Sequence, residues 1–364
     1  MSCRLLYVIG QLSSGGAERQ LCLLLQAMDR DRYKPAVAVC NYRAADPFVS
    51  RLQALGVPLY PLPRSASGHL RLNTFRRLVR QLRPELLHSY SFYMNFPAWW
   101  AVLGTQGIAI GALRSDFPRT VKKRGLLFGR LSARWPRTQI FNSRASAERA
   151  RGAKGLFVPR QLYVVRNGVD LQRFHAVPLS TAGRACILGV GSLSPVKRWD
   201  RLLGAVLSLK RRGLDFLVRI VGAGPLREAL HRQVQALSVT DRVEFVGQRE
   251  DIPSLLADAT FLVHTSDSEG CPNAVMEAMA CGRAVVATGV GDTSSIVEHQ
   301  KTGFVVPCGD DAALVERMVT LIADRELCRR MGEAGRRKAE REFGLDRLVS
   351  ETLAAYRAAG WKDS

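Results

Sequence analysis

Residues 260–288 read TFLVHTSDSEGCPNAVMEAMACGRAVVAT, and this stretch decides the fold. Phe261 to Thr265 is a short apolar run of strand type. The loop Asp267 to Cys271 then leads to Pro272, whose missing N–H suits the first position of a helix. Asn273 to Met279 continues that helix, Gly282 stops it, and Ala284 to Thr288 returns as a second apolar strand. The product is a βαβ unit with an acidic loop at the carboxyl edge of its sheet, the edge at which open α/β sheets take ligands.

The start of this helix carries chemistry as well as geometry. The backbone N–H groups of Asn273, Ala274 and Val275 point out of the helix start, where the macrodipole favours a phosphate. Glu269 and Glu277 bracket that start. A carboxylate beside a phosphate is unfavourable unless it accepts hydrogen bonds from neutral hydroxyls, as a sugar provides. The plainer reading is a solvated loop Glu and a helix Glu on a wet face.

Working outward, strand and helix patterns alternate almost from end to end. Strands are expected at Leu5–Ile9, Val37–Cys40, Val57–Leu62, Leu86–Ser89, Ile108–Leu113, Gln139–Asn142 and Tyr163–Val165. Helices are expected at Ala17–Met28, Pro47–Leu55 and Leu70–Leu82. Periodicity lapses over Asn167–Arg184, which carries Gly168, Pro178 and Gly183. Strands then resume at Ile187–Val190, Val218–Val221, Val243–Val246, Phe261–Thr265, Ala284–Thr288 and Phe304–Val306, with helices at Trp199–Lys210, Pro225–Leu237 and Ile252–Ala257. This predicts an α/β protein with two doubly wound parallel sheets: residues 1–175, residues 176–346, and a terminal helix over 347–364.

The pattern E-G-x-P-N-x-x-x-E-A-M-A-x-G, Glu269 to Gly282, resembles the signature of retaining, nucleotide-sugar-dependent glycosyltransferases of the GT-B fold, the group-4 type. The resemblance implies two Rossmann-like domains facing a cleft. It implies a donor site made largely by the second domain and a terminal helix crossing back onto the first. Cys271 departs from the aromatic or aliphatic residue of many relatives. Gly15-Gly16-Ala17-Glu18 is similar to the family's G-G-A-E loop, which faces the donor diphosphate; taken alone, paired glycines suit any strand-to-helix turn. In Gly189–Lys197, Lys197 resembles the diphosphate lysine, while Ser192 stands where many relatives have arginine. The resemblance implies that Glu277 holds the ribose and that Glu269 meets the donor sugar's hydroxyls or its developing positive charge, without acting as a covalent nucleophile. It places backbone near Gln248 and Arg249 against the nucleobase. Asp292, in Gly289–Thr293, reads better as a helix cap than as a ligand residue.

On the acceptor side, His88 and Arg114 end two strands and are candidates for the reaction centre. Arg114 occupies a position where some relatives place a histidine. A lone histidine is more often structural, and Asp116 serves equally as an acceptor base or as a solvated cap. Asp267-Ser268-Glu269 has the spacing of a metal-binding D-x-D but lies in the phosphate-adjacent loop, so neither a divalent metal nor a cofactor is expected.

The net charge of +21 points to an anionic partner. Residues 114–151 concentrate it: eleven Arg/Lys (114, 119, 122, 123, 124, 130, 134, 137, 144, 149, 151) stand against Asp116 and Glu148, a net +9. With Phe117, Leu126, Leu127, Phe128, Leu131 and Trp135 interleaved, the segment reads as a basic amphipathic element able to lie on anionic lipid. The expected partners are therefore a nucleotide-sugar donor, a saccharide or glycolipid acceptor and an anionic membrane surface, with no nucleic acid. Scattered cysteines read as buried free thiols in a reducing compartment. MSCRLLYVIG reads as a first strand rather than a signal peptide, and residues 98–113 as a helix, a turn and a strand, so a cytoplasmic protein is expected. An NAD-dependent dehydrogenase lacks support, because no G-x-G-x-x-G follows the first strand with an acidic residue at the usual distance. The competing reading is a basic lipid-surface or nucleic-acid binding protein without catalysis.

Overall fold

The computed structural model describes residues 4–63, 68–117, 120–121, 126–153, 157–180 and 183–363. The chain divides into two compact units, Met1–Gly168 with Leu345–Ser364, and Val169–Gly344. The sequence placed those divisions slightly later, at 175/176 and 346/347.

Among the described residues the first unit holds seven strands: β1 Leu5–Ile9, β2 Pro35–Val39, β3 Leu59–Pro61, β4 Leu86–Ser89, β5 Ile108–Leu113, β6 Thr138–Phe141 and β7 Gln161–Val164. They run parallel in the order β3-β2-β1-β4-β5-β6-β7. Parallel strands are covered by helices on both faces, so their sequences are continuous apolar runs rather than alternations; every residue of β1, β2 and β4 is buried. The helix Leu345–Ala358 packs Leu348, Leu353 and Tyr356 into the same core as Leu5, Tyr7 and Ile9 of β1.

The stretch 98–113 is helix Asn95–Val102, a turn and β5. No helix among the described residues is long and apolar enough to cross a membrane. The basic segment 114–151 departs from its expectation of one surface-lying element. It contains helix Leu126–Arg134, the buried strand β6 and helix Arg144–Gly152. Phe117 is buried and Trp135 stacks on Trp99 at 4.5 Å, leaving Leu127 and Phe128 as its outward apolar side chains among the described residues. Arg119, Lys122, Lys123 and Arg124 lie outside the described residues.

The second unit holds six described strands: β8 Ala185–Val190, β9 Phe216–Val221, β10 Val243–Gly247, β11 Phe261–His264, β12 Ala284–Thr288 and β13 Gly303–Val306. They are parallel in the order β10-β9-β8-β11-β12-β13. The winding direction reverses between β8 and β11, where Phe261 lies beside Ile187 and Leu262 beside Leu188. Such a switch point opens a crevice at the carboxyl ends of its two strands. The turns leaving those ends are 191–198 and 265–272, the two stretches from which the sequence drew its donor-site candidates.

Candidate active site

Backbone packing shapes the first of these turns. Gly222 has φ +149°, and a Cβ there would lie 1.9 Å from the Gly191 carbonyl oxygen. Only glycine allows the turn after β9 to press against the turn after β8 in this way. Pro195–Lys197 forms one short helical turn, and Trp199 Nε1 closes it by donating to Ser192 O at 2.9 Å.

This geometry aims Lys197 across the switch point. Its Nζ donates to Glu269 Oε1 at 2.6 Å, and Ser266 Oγ donates to the same oxygen at 2.7 Å. His264 Nε2 lies 3.2 Å from that oxygen. Both members of the ion pair are largely enclosed, with side-chain exposures of 19% and 15%. Burial pushes the Glu269 carboxyl up; the Lys197 charge and the adjacent His264 outweigh it and hold the group well below the usual carboxylate range. Burial keeps His264 below its ordinary 6.5, so it is neutral at neutral pH. Lys197 is therefore half of a pre-formed pair rather than an isolated point charge.

The sequence reading missed His264, Ser266 and Arg201. Arg201, with 4% side-chain exposure, donates to Asp311 Oδ1 at 2.7 Å, to Asp267 Oδ1 at 3.0 Å and to Thr265 O at 2.8 Å. Arg198 holds the other Asp267 oxygen at 2.9 Å. Two guanidiniums thus fix the loop that carries Glu269. The available signal was an arginine inside an otherwise apolar helix face, Trp199–Leu209.

The following helix runs Asn273–Ala280, with Pro272 as its N-cap at φ −75° and ψ 107° rather than as its first helical residue. An extended ψ at proline ends the loop one residue later than the N1 reading assumed. Asn273 and Ala274 are half-buried, Val275 is fully buried, and Glu277 is 3% exposed. The turn 289–293 presses on the Glu269 loop: Gly291 has φ +55°, and a Cβ there would lie 2.3 Å from Glu269 O. Asp292 takes the cap position of helix Thr293–Ile296 but makes no side-chain cap bond to it, unlike the capping role expected. Its backbone N–H donates instead to Gly270 O at 2.9 Å. Ser192 is exposed, its Oγ 3.0 Å from Ser194 Oγ. Gln248 and Arg249 are exposed too, and Arg249 is paired with Asp251 at 2.6 Å.

In the first unit, Gly15 caps helix Gly16–Ala27, and a Cβ at Gly15 would meet Glu18 Oε2 at 2.1 Å. The Glu18 carboxylate folds back on the helix start that was expected to face an anion. Burial raises its carboxyl above the usual range. His88 lies near the carboxyl end of β4 and is enclosed. Its ring is 1% exposed, packed against Tyr7, Tyr90 and Tyr356, with Nδ1 sharing a 2.7 Å hydrogen bond with the Tyr356 hydroxyl. Burial, then the Arg114 charge, push it well below 6.5. Arg114 is half-buried, its guanidinium carbon 3.7 Å from the centre of the Tyr90 ring. Asp116 is paired with Arg149. The thiols of Cys22, Cys40, Cys271, Cys281 and Cys328 are buried and outside any disulfide, whereas Cys308 is exposed. No group of three His, Cys, Asp or Glu side chains among the described residues is placed to hold a metal.

Two reversing parallel sheets, each with its polar residues at the carboxyl edge, define a GT-B protein of two Rossmann-like domains. HepE of Anabaena, solved with UDP-glucose, shares this fold at a TM-score of 0.82 over 98% of this chain and 99% of that one, at 22% identity. Residues 172–338 match the family model for glycosyl transferases group 1, and residues 14–173 that for glycosyltransferase family 4. The chain belongs to the group-1 glycosyltransferases of GT-B fold. It is 26% identical to N-acetyl-alpha-D-glucosaminyl L-malate synthase of Bacillus anthracis over 55% of this chain and 51% of that protein. It is 31% identical to WcaL of Escherichia coli K12, a putative colanic acid biosynthesis glycosyltransferase, over 54% of this chain and 51% of that one. The chain thus spans about half the length of these curated relatives.

Proposed function

We propose that this chain moves a hexose-type sugar from a nucleoside diphosphate to a hydroxyl of a lipid-linked or membrane-proximal saccharide, with retention of anomeric configuration. The acceptor belongs to polysaccharide- or lipopolysaccharide-type assembly, on the cytoplasmic face of the membrane. The observation that carries the reading is the enclosed Lys197–Glu269 pair, 2.6 Å apart at the switch point and a few residues before the Asn273 helix start. In the reaction the bond from the anomeric carbon to the diphosphate breaks, and its electron pair leaves with the diphosphate. The acceptor oxygen bonds to the same face, and its proton passes to the departing diphosphate. Lys197 and the N–H groups at the helix start stabilise the charge that develops on the leaving group, commonly the largest catalytic contribution. Glu269, fixed by Ser266 and Lys197, opposes the positive charge growing on the sugar. Glu277 binds the ribose. The positive charge that other designs take from a divalent cation is supplied here by Lys197 and the helix. Support for the donor and acceptor classes comes from HepE, solved with UDP-glucose, and from the colanic acid pathway in the name of WcaL.

The test is a thermal-shift panel of UDP, GDP, ADP and their sugar conjugates on the wild type and Glu277→Ala. A ligand at a hundred times its dissociation constant stabilises a fold by about 2.7 kcal/mol. One nucleotide family is expected to raise Tm, with the shift lost in Glu277→Ala and unchanged by EDTA. A well-folded sample that responds to none of them removes the donor site. Retention on anionic vesicles would then make the basic surface the function.

A further inference from the structure

We infer that the first unit carries a binding site for the hydrocarbon end of a phosphate-bearing amphiphile, in an apolar cavity bordered by helices Gly68–Leu82, Asn95–Val102 and Leu126–Arg134. The cavity measures about 230 Å³, and Leu62, Leu72, Phe75, Met94, Pro97 and Phe128 supply most of its wall. That is somewhat below the span of drug-sized ligand pockets, about 300–1,000 Å³, and suits a short stretch of hydrocarbon. An apolar cavity offers water too few polar partners and takes an apolar guest instead.

Its position ties it to the ligand edge of the sheet. Cys40 and Leu62 directly follow β2 and β3, and Tyr93 and Met94 follow β4. The cavity therefore lies at the carboxyl ends of these strands. Tyr93 spans the two environments: its ring lines the cavity, and its hydroxyl covers Gly10, where a Cβ would lie 1.6 Å away. Gly10 directly follows β1 and begins the loop to Gly15 and Gly16.

Charge selects the occupant. Arg71 lines the cavity, and its guanidinium makes a 3.4 Å contact to Cys40 O but no ion pair among the described residues. A guanidinium fork beside an apolar pocket suits a phosphate attached to hydrocarbon. Phe128 of the wall is 38% exposed, and Leu70 and Leu127, on two of the bordering helices, are 49% and 71% exposed, so these helices also present apolar side chains outward. Such side chains among basic residues suit the headgroup boundary of a bilayer. The site rests on the acceptor class proposed above, and it is tested by binding, without transfer, so that the two readings can fail separately.

Decyl phosphate, decanol and inorganic phosphate are titrated below micelle concentration onto the wild type, Leu72→Trp and Arg71→Gln, with a nucleotide shift recorded on each sample. Decyl phosphate is expected to bind the wild type at least tenfold more tightly than decanol, and inorganic phosphate not measurably. Leu72→Trp fills the cavity and is expected to abolish binding while leaving the nucleotide shift intact. Arg71→Gln, on a half-buried side chain, is expected to erase the preference for phosphate over alcohol, and it decides the matter if Leu72→Trp does not fold. Lengthening the chain should tighten binding about fourfold per methylene and then level off when the cavity is full. Wild type that responds to a nucleotide but not to decyl phosphate overturns the cavity and spares the donor site. So does equal binding by Leu72→Trp, or affinity that never levels with chain length. Cavity binding without any nucleotide response supports this site and removes the donor reading.

Discussion

The two sheets end in very different carboxyl edges. In the second unit the edge is ionic: Lys197 meets Glu269, Arg201 meets Asp267 and Asp311, and Arg198 meets Asp267 and Asp200. In the first unit the corresponding core is aromatic, with His88, Tyr7, Tyr90 and Tyr356 packed together beneath Arg114 and no carboxylate in the group. One edge is built around charges already paired before a ligand arrives. The other sets a cluster of aromatic rings and one buried imidazole beneath the Arg114 guanidinium. A diphosphate has to be met by fixed charge, whereas a sugar hydroxyl or a lipid needs shape and neutral hydrogen bonds.

Breaking the ionic edge should give the largest effect. Lys197→Ala is expected to lower transfer by about 10²–10³-fold, the usual consequence of losing one transition-state donor. It also leaves Glu269 enclosed without its cation, and removing one partner of a buried pair costs about 3–5 kcal/mol. Lys197→Ala/Glu269→Ala should regain much of that stability and none of the activity, as read by melting and initial rates. Recovery of activity in the double variant would make the pair structural. The pH dependence follows from the depressed Glu269 carboxyl. Its stabilisation is complete above the ordinary carboxylate value of 4.5, fades as pH falls below it, and should be absent from the acid limb of the Lys197→Ala variant.

The aromatic edge is tested by Tyr356→Phe. The Tyr356 hydroxyl shares a hydrogen bond with His88 Nδ1 at 2.7 Å and donates to the Tyr7 hydroxyl at 3.2 Å. His88 Nε2 is already buried without a partner, so the variant leaves the ring with none. The expected cost is about 1–3 kcal/mol in denaturant melts, with the nucleotide shift unchanged. A loss of nucleotide binding instead would show that the two edges are not independent. His88 supplies a second signature. Its folded pKa lies well below 6.5, so as pH drops through 6.5 the unfolded chain takes up a proton that the folded chain refuses. Stability should therefore fall from about pH 6.5 downward, and His88→Gln should flatten that part of the profile.

These contrasts were unequally visible in the sequence. Strand positions and the reversing α/β order were legible because parallel strands are apolar on both faces. That same property hid His88: in LLHS every residue is buried, so alternation cannot say which way the ring points. Glu269 and Lys197 stood out by their motifs, but their 2.6 Å pairing joins residues 72 positions apart and has no local trace. The Arg201 clamp was equally invisible, since Asp311 lies 110 residues further on. Pro272 was misplaced by one residue because proline satisfies the cap and the first helical position almost equally well. The apolar cavity arises from three helices and three strand ends, none of which looks unusual alone.

The smallest expected effect concerns a residue that makes the ionic edge incomplete. Ser192 is exposed on the turn after β8, its hydroxyl spent on Ser194. Arg198, the nearest alternative cation in sequence, is committed to Asp200 and Asp267. Lys197 is then the only cation of this turn left to meet a diphosphate, and Glu269 already shares it. Ser192→Arg adds a second charge where the turn faces solvent, and a charge at an exposed anion site contributes about 0.3–1 kcal/mol. Nucleoside diphosphate binding should tighten about two- to fivefold, with a steeper salt dependence, while the maximal rate changes little. Titrations at two salt concentrations would show it. Unchanged affinity would mean that the bound diphosphate lies away from this turn and is held by the helix start at Asn273 instead.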